Sequence, residues 1–388
     1  MTKPSLAKSW CLVKFGDLAE SITERVDDPK ASGVEIYVGL EHLDSDTTKI
    51  SRYGTPDDVE STKLRFYPGD VIYARRRAYQ RKLGVAEVEG ICSAHALVLR
   101  ARPDVCLPEF LPYFLQSNQF HDRALSISVG SLSPTINWKT LVVQEFALPP
   151  IAEQRRIINL VSHLDNSVSC ENASLTSLES LRLAIVKKAT DEAVQAGQMK
   201  SFGQVADWFA GGTPRASERS FYDDGTIPWA TIGDIFGRTI SSTSSLITED
   251  ALNSIGGRLA PVGSILVSMY GTVGKAALVE KPMATNQAIA WAEPDNNQVI
   301  PEFLLAVIGL NEKKISELAR GATQQNINRA ILRSVEFGCP TLDSQIDAVK
   351  RLDSIEKVVF NVKKNLNNKR KLRSALLSNY QDVVSANV

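Results

Sequence analysis

Histidine is scarce in this chain: among 388 residues only His42, His95, His121 and His163 occur. The five cysteines, Cys11, Cys92, Cys106, Cys170 and Cys339, never stand at C-x-x-C spacing, and their number is odd. These gaps argue against a zinc centre or a disulfide framework and fit a reducing cytoplasm. The N-terminus shows no secretory apolar run. The longest uncharged stretch, Leu259 to Gly274, is interrupted by Gly and Pro and is too short to cross a bilayer as a helix. No membrane partner is expected. Excess charge is missing too: Lys plus Arg and Asp plus Glu number 44 each, so any polyanion site must be local.

Catalytic signatures are equally thin. No Ser/His/Asp constellation and no Rossmann glycine fingerprint are visible. The only Pro-Pro pair lies in Leu148-Pro149-Pro150-Ile151 and lacks the polar first residue of an adenine-methylating Asn/Asp-Pro-Pro-Tyr/Phe motif. Asp57, Asp58, Glu60 and Lys63 are a loose imitation of a nuclease cluster, at the wrong spacing and beside the loop-marking Pro56. The expectation is a protein without catalysis, resident cofactor or metal.

What is present is a duplication. Phe15-Gly16-Asp17-Leu18-Ala19 recurs as Phe202-Gly203-Gln204-Val205-Ala206, and Leu107-Pro108-Glu109-Phe110-Leu111 as Ile300-Pro301-Glu302-Phe303-Leu304. Residues 130–186 then run against 321–377 at one constant offset without a gap. Between these matches identity fades, save for a Gly-led apolar run, Gly69–Tyr73 against Gly263–Val267. Each half therefore has a variable globular part and a better-matched tail.

The tails carry heptads. Ile157, Val161, Leu164, Val168, Leu175, Leu178 and Ile185 recur at steps of three and four, broken only by Glu171 and Arg182. The second copy is Ala348, Leu352, Ile355, Val359, Val362, Leu366 and Leu376, broken by Lys369 and Arg373. Neither tail contains Gly or Pro, and Pro149-Pro150 and Pro340-Thr341 announce the two starts. In the globular parts, Glu35–Leu40, Val71–Ala74, Ala94–Leu99, Ile265–Met269 and Ala288–Trp291 read as strands. One helix per half should follow Pro108 and Pro301.

The expected fold class is α+β: two similar mixed α/β domains joined by a pair of long antiparallel coiled-coil helices, with pseudo-twofold symmetry. The boundaries read as residues 1–150 for the first domain, 151–200 for the first helical spacer and linker, 201–341 for the second domain, and 342–388 for the second spacer and tail. A seam of about 30 residues at ~1.5 Å per residue gives a ruler of roughly 45 Å. On DNA that is about 13 base pairs at ~3.4 Å each.

At this point the layout resembles the specificity (S) subunits of type I restriction–modification enzymes. The residues that carry the resemblance are Leu148–Ile157 at the first domain–helix junction, Gly211-Gly212-Thr213-Pro214 and Ile227-Pro228-Trp229. With them go Gly263-Ser264-Ile265-Leu266, Thr285-Asn286-Gln287-Ala288 and Gly321-Ala322-Thr323-Gln324-Gln325-Asn326-Ile327. The first domain departs from the pattern: it has Ser93-Ala94-His95-Ala96 in place of Thr-Asn-Gln-Ala and lacks the Gly-Gly-Thr-Pro opening. The resemblance implies two target recognition domains that read a bipartite, asymmetric stretch of double-stranded DNA. It also implies assembly with methyltransferase subunits, which use S-adenosylmethionine, and with restriction subunits, which use ATP and magnesium. Two alternatives stand beside it: the specificity subunit of a methylation-only or other phage-defence system, and a coiled-coil scaffold that binds no DNA.

The DNA-contact candidates follow from side-chain chemistry. Arg75, Arg76, Arg77, Arg81 and Lys82 crowd five positive charges around Tyr79 and Gln80, directly after an expected strand. Arginine both holds phosphate and binds guanine bidentately, whereas a solvated charge run is the plainer reading. In the second half, Tyr270, Thr272 and Lys275 occupy the corresponding loop. It is no nucleotide P-loop, because the first Gly is missing and Ala276 replaces the magnesium-binding Ser/Thr. A hairpin turn is the competing reading there. Thr323, Gln324, Gln325, Asn326 and Asn328 supply amides that pair with adenine, against a capping role, and Ser131, Ser133, Asn137 and Lys139 are their counterparts. Thr213 and Arg215 complete the set. Glu153, Gln154, Arg155 and Arg156 sit at a helix start, where the resemblance implies contact with the methyltransferase.

Overall fold

The computed structural model describes residues 10–319 and 326–378. The chain divides into two compact units, Met1–Asn172 with Lys363–Val388, and Ala173–Val362. The division cuts through two long helices, Ile151–Gln195 and Leu342–Ser378, so each unit owns a stretch of both. Among the described residues no helix is long and apolar enough to cross a membrane.

In the first unit, four antiparallel strands run in the order Ala19–Ile22, Ala96–Ala101, Val71–Ala74, Leu83–Val85. A second sheet runs Arg25–Val26, Lys63–Phe66, Gly90–Ser93, Tyr37–Val38, its last pair parallel. The second unit repeats the plan with a five-stranded sheet, Ala206–Ala210, Ile289–Pro294, Ile265–Ser268, Ala276–Val279, Thr239–Ile240. A three-stranded sheet, Ser245–Ile247, Ile227–Ala230, Ala284–Thr285, accompanies it. The architecture is the expected α+β pairing of two mixed domains with long helices. The expected strand Glu35–Leu40 shrinks to Tyr37–Val38, and Ala94–Leu99 shifts to Ala96–Ala101, because Ala94 and His95 form the turn before it. Helices Leu111–Gln116 and Pro301–Leu310 follow the two marked prolines.

The repeated motifs turn out to be core plugs and closures. Phe15 and Phe202 are fully buried. Phe15 N donates to Gln144 O at 2.8 Å, and Phe202 N to Val335 O at 2.9 Å. Beside each, a short ribbon closes the module on itself: Cys11–Lys14 pairs Glu145–Leu148, and Met199–Ser201 pairs Glu336–Gly338, both antiparallel. Phe110 and Phe303 of the Pro-Glu-Phe segments enter the same two cores.

The long helices then pack on those cores. Within the first unit, Asp165 pairs with Arg373 at 2.6 Å and Glu171 with Lys369 at 2.5 Å. One number rises as its partner falls, so the stretches are antiparallel. Ile157, Val161 and Leu377 extend the first core. In the second unit, Val186, Ala348 and Leu352 extend the other, and Arg182 pairs with Glu356 at 3.3 Å. The four residues that interrupt the heptads therefore all hold ion pairs across the seam. Polar groups in an apolar seam cost stability and fix register. Just past the end of the first helix, Gly197 with a φ of +72° lets Gln198 N reach back to Ala193 O at 2.8 Å.

One buried glutamine locks each helix start to its module. Gln154 is 0% exposed: its Oε1 accepts from Leu107 N, and its Nε2 donates to Val105 O and Pro149 O, all at 2.9 Å. Gln345, also 0% exposed, repeats this with Ile300 N at 2.8 Å, Gln298 O at 3.0 Å and Pro340 O at 2.9 Å. Gln154 was expected among the partner-facing residues; with every amide group engaged inside the protein, it is structural. Gln154→Leu or Gln345→Leu would keep the volume and strand one N–H and two carbonyls. Each should destabilise by about 3 kcal/mol in denaturant titration; a loss under about 0.5 kcal/mol for both would show that the two locks carry no weight.

Candidate nucleic-acid interface

In the first unit the basic loop leaves the central strand Val71–Ala74 and turns through a single helical turn, Ala78–Gln80. Arg77 and Arg81 flank that turn at φ +53° and +51°. Buried Ala78 pins it, donating its N–H to Pro134 O at 3.4 Å. Arg76 bridges Thr135, and Ile136 N donates to Arg75 O at 3.0 Å. The loop of Ser131, Ser133 and Asn137 thereby lies beside the arginines, with Lys139 on the short helix that follows.

The structure splits the five charges that the sequence groups as one patch. Arg76, Arg77 and Tyr79 are exposed. The rest turn to protein partners. Arg75 Nη2 donates to Ala94 O at 3.1 Å, Arg81 Nη1 to Asn118 Oδ1 at 2.8 Å, and Lys82 Nζ to Leu40 O at 3.5 Å. The carbonyl of Gln80 accepts from Ser45 Oγ at 2.6 Å. Arg81 also lines a cleft of about 960 Å³ together with Asn118, Asp165 and Arg373. The outward charge is thus two arginines with a tyrosine.

His95 joins this edge, and sequence reasoning did not single it out. It is exposed on the turn whose Ala94 carbonyl holds Arg75. Its pKa lies below the ordinary histidine value, through partial burial first and then the cations of Arg76, Arg75 and Lys63.

The second unit uses the same joint. After Ile265–Ser268 the loop closes through Ser268 N to Lys275 O at 2.8 Å and Gly274 N to Ser268 O at 3.0 Å, the hairpin geometry held open as the competing reading. Tyr270 bridges Asn326, and Ile327 N donates to Met269 O at 3.0 Å, matching Arg76 with Thr135 and Ile136 with Arg75. Thr272 and Lys275 are exposed. Lys275 lines a cleft of about 360 Å³ with Glu179, Arg182, Arg238 and Glu312.

Asn328 spends its side chain as a helix cap, with Oδ1 accepting from Ile331 N at 2.9 Å, and so drops out as an adenine reader. Asn326 is exposed. Thr323, Gln324 and Gln325 lie outside the described residues.

The Gly-Gly-Thr-Pro and Thr-Asn-Gln-Ala motifs meet. Gly212 N donates to Thr285 O at 2.9 Å, and Thr213 Oγ1 is bonded to Gln287 Oε1. A Cβ on Gly211 would collide with the Thr285 carbonyl, which is why glycine is needed there. Arg215 is exposed beyond this contact. Gln287 stands where the first unit has His95, so both turns carry a polar side chain at one position of the plan. The four-residue match Ser93–Ala96 against Thr285–Ala288 was the signal that could have nominated both.

At the first helix start, Glu153 pairs with Arg156 at 3.2 Å, and Arg155 and Arg156 are exposed.

The two units are kindred modules, each with a polar loop pair beside a central sheet and each locked to a long helix. Comparison with known proteins supplies the family. The type I restriction modification DNA specificity domain matches twice, over residues 7–180 and 197–370, and the chain belongs to that family. That family model describes a DNA specificity domain, and this chain carries two copies of it. The EcoDI specificity subunit of Escherichia coli is 30% identical over 192 residues, 48% of this chain and 42% of that protein. The EcoR124I/EcoR124II specificity subunit of Escherichia coli is 25% identical over 193 residues, again 48% of each chain. Those two matches span about half of the relatives. The HindI specificity subunit of Haemophilus influenzae is 21% identical with 95% of this chain and 98% of that protein covered. The fold is shared with a chain from a solved type I restriction–modification system, at TM-score 0.65, 22% identity, and 96% and 97% coverage. It is shared also with the S subunit from M. genitalium, at TM-score 0.56, 16% identity and 98% coverage of both.

If only the outward arginines meet phosphate, Arg76→Ala with Arg77→Ala should reduce the slope of log affinity against log salt by roughly 1.8. Arg81→Ala should leave the slope alone. Fluorescence anisotropy of the assembled complex on duplex DNA at several salt concentrations measures both. Equal effects from the two variants would restore the undivided patch.

Proposed function

We propose that this chain gives a type I restriction–modification complex its sequence specificity by reading two unlike DNA words, one with each unit. The observation that carries this reading is the shared joint. In both units a loop after the central strand is bridged by backbone to the loop before a short helix, and the side chains offered there differ. The first unit offers Arg76, Arg77, Tyr79, Ser131 and Ser133; the second offers Tyr270, Thr272, Asn326 and the Thr213–Gln287 pair. Arginine favours guanine and amides favour adenine, so equal scaffolds read unequal words. Arg75, Arg81 and Lys82 brace the first loop.

Family membership supports the choice of partners. Double-stranded DNA is the ligand. Methyltransferase subunits dock against the long helices, with the exposed Arg155 and Arg156 and the half-buried Glu153 as a contact point, and restriction subunits join the complete nuclease. S-adenosylmethionine, ATP and magnesium belong to those partners. The chain itself positions them.

Exchanging residues 201–341 for those of another family member, and co-expressing the product with the methyltransferase, tests the division of labour. One half of the methylated word should change and the other persist. A change in both halves, or in neither, would refute independent reading.

A further inference from the structure

Beside the arginines of the first unit stands a side chain that the polar candidates leave out. Val129 and Thr135 close a short loop through an antiparallel bridge, each N–H donating to the other's carbonyl at 3.0 Å. At the tip Leu132 is 94% exposed, and Val129 at the base is 67% exposed. Thr135 bridges Val129 on one side and Arg76 on the other, and Pro134 O accepts from Ala78 N. The tip is therefore carried on the same backbone ladder as the two outward arginines.

Lone exposed apolar residues are ordinary on protein surfaces and by themselves signify nothing. Leu132 differs in its position. It lies on the edge that faces DNA in the proposed reading, between Ser131 and Ser133, and a bridge on each side of Thr135 holds that loop in register with Arg76. A leucine side chain neither donates nor accepts a hydrogen bond. On the base edges the one apolar group is the 5-methyl of thymine, which lies in the major groove, where arginine also reads guanine. The gap-free repeat offset pairs Leu132 with Thr323 in sequence, so the two halves differ there in the property that separates a methyl reader from a hydrogen-bonding one.

We propose that Leu132 is a specificity-determining residue of the first unit, reading a thymine through its 5-methyl group. The inference rests on the reading of the Arg76–Thr135 ladder as a DNA-facing edge. Val129 closes the base of the same loop through its bridge to Thr135.

The test uses the assembled complex of this chain with its methyltransferase, on duplexes carrying its mapped target. Each thymidine of the first unit's half-word is replaced singly by deoxyuridine, which removes one methyl and nothing else. At one position affinity should fall roughly fourfold, the worth of one buried methyl. Leu132→Ala should lower affinity for the unmodified duplex and be indifferent to that same replacement, and Leu132→Ile should retain most of the response. A half-word without thymine, or a Leu132→Ala complex that still feels the replacement, overturns the proposal. So does a rise in 2-aminopurine fluorescence that depends on Leu132, because it would mark a wedge between unstacked bases instead. The parent reading is separated by its own control. If Arg76→Ala with Arg77→Ala leaves the salt slope unchanged, the edge does not face DNA and both fall. If the slope drops while the thymine response is absent, only the role of Leu132 falls.

Discussion

A single buried amide holds each recognition module to its long helix. Gln154 and Gln345 satisfy the same three backbone groups at equivalent places: the amide opening the Pro-Glu-Phe segment, a carbonyl two residues earlier, and the carbonyl of the proline before the helix. Three bonds from one side chain inside a dry junction fix the angle at which the helix departs. A hinge there would let a reading edge swing. A DNA reader has to place arginines and amides to within a hydrogen bond's tolerance, so rigidity at this joint is a condition for specificity. The heptad seam adds to it, because its ion pairs, Asp165–Arg373, Glu171–Lys369 and Arg182–Glu356, tolerate one register only.

From that fixed frame the two units diverge in what they present. In the proposed reading, neutral overall charge is compatible with DNA recognition because cationic groups are sorted rather than accumulated. Arg75, Arg81 and Lys82 are spent on holding loops, and Arg76 and Arg77 are left outward. The second unit carries no such arginine pair on its equivalent loop, which presents Tyr270 and Thr272 instead. Similar backbones with unlike tips are what a protein needs if a duplicated module is to acquire a second, independent word.

Legibility from sequence followed the range of the interactions involved. The long helices were readable because a heptad is a local pattern, and its residues Ile157, Val161, Ala348 and Leu352 are buried in the two cores. The duplication was readable because Phe15, Phe202, Phe110 and Phe303 are core residues that cannot drift. The closing ribbons Cys11–Lys14 with Glu145–Leu148 and Met199–Ser201 with Glu336–Gly338 were not foreseen, since they join short segments more than a hundred residues apart. Gln154 was misread because Glu153, Arg155 and Arg156 surround it. Its helical phase held the answer: it continues the seam one step before Ile157, as Gln345 does before Ala348. Arg81 looked like its neighbours until Asn118, remote in sequence, claimed it. Gln287 was quoted within a family signature and His95 within the first domain's departure from it, without either being weighed as a contact.

The claim at the centre of this account is that two separate words are read by two separate units of one chain. Sequencing that detects every methylated adenine in DNA from cells making this chain and its methyltransferase addresses it directly. The account predicts a split target: two short, different words with an unread gap of constant length between them. One uninterrupted word, or methylation without sequence preference, would contradict it.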